Sequence, residues 1–98
     1  MSDYIIYVMY TLYTYQDTPV NHYRVFNVTI EESKLYKKII YLFLLELYNL
    51  TKDLKDKDLT GSYCVSVRTE CNGKDVLPYC YRIERNLIWD HPIKYMLK

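Results

Sequence analysis

From Tyr4 to Tyr15 β-branched and aromatic residues follow one another without Gly or Pro, a pattern that predicts one long strand. Successive strand residues point to opposite faces. Tyr4, Ile6, Val8, Tyr10 and Leu12 therefore form one apolar face, and Ile5, Tyr7, Met9, Tyr13 and Tyr15 form another. One face can lie on the domain's own helix; the other asks for a partner. Asp17-Thr18-Pro19 supplies turn chemistry, and His22 to Val28 reads as the returning strand.

Thr29 followed by Glu32 has the spacing of a capping box, with Glu31 and Glu32 where the helix dipole favours negative charge. Apolar positions then recur at Leu35, Tyr36, Ile39, Ile40, Leu42, Phe43, Leu47, Leu50 and Leu54, the spacing of an amphipathic helix. From Ile39 to Leu45 no side chain is charged, so the middle of this helix is apolar all round and calls for burial on every side. A single sheet covers about half of such a circumference. The surplus, Tyr41, Phe43, Leu44, Leu45 and Tyr48, joins Tyr7, Met9, Tyr13 and Tyr15 as the expected interface. Lys52 to Asp58 alternates in sign and solvates the exit, and Gly61 ends the helix.

Tyr63, Val65 and Val67 alternate with Ser62, Cys64, Ser66 and Arg68 in a half-buried strand, and Leu77, Tyr79, Tyr81 and Ile83 share one parity in its partner. Apolar positions must share a face, and a one-residue slip exchanges the faces. A two-residue turn on Asn72-Gly73 would set the apolar parity of one strand against the polar parity of the other. A three-residue loop Cys71-Asn72-Gly73, with Gly73 left-handed as a bulge, opposes Tyr63 with Tyr81, Val65 with Tyr79 and Val67 with Leu77. That register sets Cys64 opposite Cys80 at a separation a disulfide accepts, which makes the two a candidate cross-strand pair. Pro78 marks the last strand as an edge or a bulge. Trp89, Ile93 and Met96 in the tail are expected to pack back on the core.

These elements predict a single α+β domain over residues 1–98: a four-stranded antiparallel sheet of two hairpins, in the order ββαββ, with one long helix on one face. The 29 Leu, Ile, Val and Phe residues suffice for a core. The longest apolar run, Ile39 to Leu45, is far short of the ~18 residues that span a bilayer. Met1 to Tyr15 lacks the positive start and small-residue cleavage site of a signal peptide, so a cytoplasmic location, inside the cell that makes the chain, is expected.

A net charge of +1 excludes an acidic nucleic-acid mimic and a binder driven by a strongly basic surface. No nucleophile elbow, paired-His motif or Gly-rich phosphate loop is present, so no catalytic residue is assigned and the chain is expected not to be an enzyme. The cysteines lack the close C-x2-C spacing of zinc sites, and His22 and His91 are distant; neither a metal site nor a cofactor is expected. Nucleic-acid binding is the alternative: a sheet exposing Tyr7, Tyr13 and Tyr15 can stack bases, with Arg24, Arg82, Arg85 and Lys94 on phosphates. The leading reading is an interaction module, because Tyr- and aliphatic-rich surface poor in Lys and Glu is what protein contacts use.

Thirteen Tyr with no Ala, few Gly and few Arg is the bias of an AT-rich genome. In size and composition the chain resembles the small single-domain proteins of AT-rich viruses, notably the filamentous and rod-shaped viruses of hot-spring archaea. That resemblance implies a non-enzymatic viral or mobile-element protein that dimerises and binds or inhibits a host protein, for example as an anti-CRISPR factor. It carries no motif and assigns no residue.

Overall fold

The structure is a computed structural model that describes residues 1–13, 19–52 and 61–86. The elements run β1 (Ser2–Tyr13), β2 (Val20–Ile30), α1 (Glu32–Thr51), β3 (Ser62–Cys71), β4 (Lys74–Asp75) and β5 (Tyr81–Asn86). The α+β class, with one helix and one antiparallel sheet, is as expected. The arrangement is not ββαββ: the strand after β3 is split into β4 and β5, both paired with β3, and the sheet runs β2-β1-β3 with those two at its far edge. The predicted helix exit, Tyr15 and the tail containing Trp89 and Lys94 lie outside the described residues.

β1 and β2 pair without interruption from Ser2↔Ile30 to Leu12↔Val20. This ladder overrides the expected capping box. Thr29 is a strand residue whose hydroxyl donates to the Asp3 carboxylate, and the helix begins after Glu31, which makes no side-chain cap. Lys34 N–H reaches the Glu31 carbonyl at 3.0 Å and closes the first turn instead.

The even face of β1 carries the core. Tyr4, Ile6, Val8, Tyr10 and Leu12 pack with Tyr63, Val65 and Val67 of β3 against Leu35, Ile39, Leu42, Phe43 and Leu47 of α1. Tyr10 lies under the helix and its hydroxyl donates to the Phe43 carbonyl. A buried phenol needs such a partner, and this one ties the middle strand to the helix.

The hairpin after β3 corrects two expectations. Asn72 and Gly73 have φ of 54° and 77°, both left-handed, so the two-residue turn forms after all. Cys71↔Lys74 and Glu70↔Asp75 flank it, and Val76 N–H continues the same ladder to the Thr69 carbonyl at 2.8 Å. A 3-10 turn, Leu77–Tyr79, then leaves the ladder, and pairing resumes at Val67↔Tyr81. The three extra residues restore the parity that the turn alone would have broken: Val65 meets Ile83 and Val67 meets Tyr81, apolar against apolar. Pro78 sits in the extruded turn, where its missing N–H costs nothing.

Candidate interaction surface

The register places the odd residues of β1 on the face away from the helix. There Met9 lies between Tyr23 of β2 and Ser66 of β3, Tyr7 between Val25 and Arg68, and Ile5 between Asn27 and Glu70. The face is divided. Along the middle of β2 it is apolar, with Tyr23 57% exposed, Met9 48% and Val25 41%, between the Thr11–Asn21 pair at one end and Asn27 at the other; Tyr13, 44% exposed, stands beyond Thr11 and opposite Ser62 of β3. The Tyr7 and Tyr23 rings lie 6.5 Å apart at a tilt of 31°.

Towards β4 and β5 the same face is charged, and the charges are paired. Arg68 donates to Asp75 at 2.9 Å and to Glu70, and its guanidinium sits 5.2 Å from the Tyr7 ring centre. Tyr7 donates to Glu70 at 3.2 Å; desolvation and that hydrogen bond both raise its phenol above the ordinary value. Arg82 donates to Glu84 at 2.9 Å and to the Cys64 sulfur at 2.8 Å.

The expected interface residues therefore do not form one surface. Tyr7, Met9 and Tyr13 are on the outer sheet face, whereas Tyr41, Leu44, Leu45 and Tyr48 belong to the helix, which packs on the opposite face. Tyr41 is exposed, and Leu44, Leu45 and Tyr48 are half-buried. Phe43 is a core residue, buried against the sheet, and is not available for contact. Tyr23 and Val25 are the surface residues that sequence reasoning missed; carrying the face assignment of the first strand through the first hairpin would have found them.

The expected phosphate-binding arginines are dispersed. Arg24 lies on the helix side of β2, 3.8 Å from the buried carboxylate of Glu46 and 5.3 Å from the Phe26 ring centre. Arg82 lies on the outer face, and Arg85 lines a hollow with Tyr36, Tyr63 and Ile83 on the helix side. His22, 3.6 Å from Glu46, takes a structural place beside Arg24. The candidate Cys64–Cys80 pair is not formed. Cys64 stands opposite Glu84, and the Cys80 thiol lies against the carbonyls of Val76 and Thr69, at 3.5 and 3.7 Å. Cys64, Cys71 and Cys80 are all free.

Among the described residues no helix is long and apolar enough to cross a membrane. Compared with models of protein families, with curated proteins and with solved structures, the chain finds no match.

Proposed function

We propose that this chain is a non-enzymatic interaction protein that forms a homodimer and offers the apolar half of its outer sheet face to a protein partner. The observation that carries the reading is the exposed group of Tyr23, Val25 and Met9 around Tyr7. Scattered exposed apolar residues are ordinary, but adjacent ones on neighbouring strands, rimmed by paired charges, are the composition of a contact region. The compositional likeness to small viral proteins extends the reading to a host protein, met inside the cell. Val25→Glu tests it: the residue is exposed, so the fold is retained, and the new charge weakens association. Light scattering on the wild type should give twice the 11.9 kDa of one chain, and the variant should shift towards monomer. A wild type that stays monomeric overturns the dimer.

A nucleic-acid-binding sheet is the second reading, and the Tyr7, Tyr23 and Arg68 cluster favours it, since rings beside a guanidinium can stack bases. Against it, Arg24, Arg68 and Arg82 each have a carboxylate partner. Titration with a single-stranded oligonucleotide across salt separates the two: phosphate-driven binding weakens steeply with salt, and the protein-contact reading predicts no such binding.

A further inference from the structure

The two edges of the sheet are built differently. At one edge β4 and β5 are short, interrupted by the Leu77–Tyr79 turn with Pro78, and β5 carries Arg82, Glu84 and Arg85. These are the devices that keep an edge from pairing with another chain. The other edge, β2, is neither short nor interrupted. It runs 11 residues from Val20 to Ile30 in unbroken register with β1, contains no Pro, Gly or bulge, and has Arg24 as its one Lys, Arg, Asp or Glu. Among the described residues no strand flanks its outer side.

Resting on the dimer reading above, the geometry points to a second copy of this chain as the occupant of that edge, with β2 paired antiparallel to β2 of its copy about a two-fold axis normal to the sheet. Such an axis keeps both helices on one side, so a residue must face one of its own parity. The register of full overlap satisfies this: Val20 opposes the second copy's Ile30, Tyr23 opposes Asn27, and Val25 opposes Val25. It sets Arg24 against the second copy's Phe26, the ring type it already approaches at 5.3 Å within one chain. Shifting the centre one residue towards Val20 would set Arg24 against Arg24, a like-charge pair that disfavours that register, and shifting it one residue towards Ile30 would shorten the overlap and set Arg24 against Val28, away from the ring. Edge pairing also joins the two apolar half-faces, so Tyr23 and Val25 of both copies form one continuous outer stripe for a partner.

Directly opposed residues have Cα atoms about 4.5 to 5.5 Å apart, within disulfide reach, whereas sheets packed face to face stand about 10 Å apart, beyond it. The test uses the full chain with Cys71→Ser. Under mild oxidation Val25→Cys should link to itself, and a mixture of Tyr23→Cys and Asn27→Cys chains should link while neither links alone, with peptide mapping locating each bond. A dimer by light scattering that forms none of these links overturns edge pairing and leaves the dimer standing. A chain monomeric by light scattering overturns both.

Discussion

Val67 stands directly opposite Tyr81, although the Asn72-Gly73 turn taken alone would set Val67 against Pro78. The difference is the extruded turn Leu77–Tyr79, which lies outside the ladder on both sides. Deleting Leu77, Pro78 and Tyr79 should therefore leave one continuous hairpin with Val67 still facing Tyr81. The shortened chain is expected to unfold cooperatively and to lose no more than about 2 kcal/mol, the partial burial of Tyr79. Chemical denaturation measures this; a non-cooperative transition would show that the turn is itself required.

Glu46 is buried in α1, with His22 and Arg24 of β2 at 3.6 and 3.8 Å, too long for well-formed hydrogen bonds. Its partners reach solvent on their own, so the carboxylate is desolvated for little return. Replacing such a group by an apolar one of similar volume is often neutral or stabilising by about 1 kcal/mol or more. Glu46→Met is expected to unfold at the same or a higher denaturant concentration than the wild type. A clear loss of stability would mean that the pairing holds β2 to the helix.

Thr69 is fully buried and its hydroxyl has no hydrogen-bond partner among the described residues. An unpaired buried hydroxyl costs about 1–3 kcal/mol, and Val has nearly the same shape without it. Thr69→Val should raise stability by about 1 kcal/mol in a thermal or denaturant melt. An unchanged or lower midpoint would show that the hydroxyl is satisfied.

Burial raises the Tyr10 phenol well above its ordinary value and pushes Tyr81 up to about 12. Both are neutral in the folded and unfolded chain below about pH 10, so they leave stability unchanged there. Above that, the unfolded chain releases protons that the folded chain keeps, and stability falls with rising pH. The fully buried Tyr10 adds a slope of up to about 1.4 kcal/mol per pH unit. Denaturant midpoints followed from pH 8 to pH 11 should decline above about pH 10, and Tyr10→Phe should flatten the decline. Parallel profiles for the two proteins would contradict the assignment.

What the chain reveals without coordinates is its periodicity. The alternation from Tyr4 to Leu12 and the 3.6-residue recurrence from Leu35 to Leu47 identify the central strand and its helix, because burial on one face leaves a mark at every second or every third to fourth position. Pro78 likewise announces an edge or an irregularity. Thr29 misleads because the capping signal is local while the Ser2↔Ile30 pairing that extends β2 is not. The Asn72-Gly73 turn was legible from its two residues. Rejecting it on parity assumed an uninterrupted strand, and nothing in the periodicity of Val76 to Cys80 shows that three residues leave the ladder. Glu46 shows why a polar residue on an apolar helix is ambiguous: its partners lie more than twenty positions away, in another element.

The central claim is that two copies associate through the sheet region around Val25. Sedimentation of the wild-type chain from micromolar concentration upward tests it most directly. Twice the 11.9 kDa of one chain, falling towards a single chain on dilution, is the predicted result; one 11.9 kDa species at every concentration would contradict it.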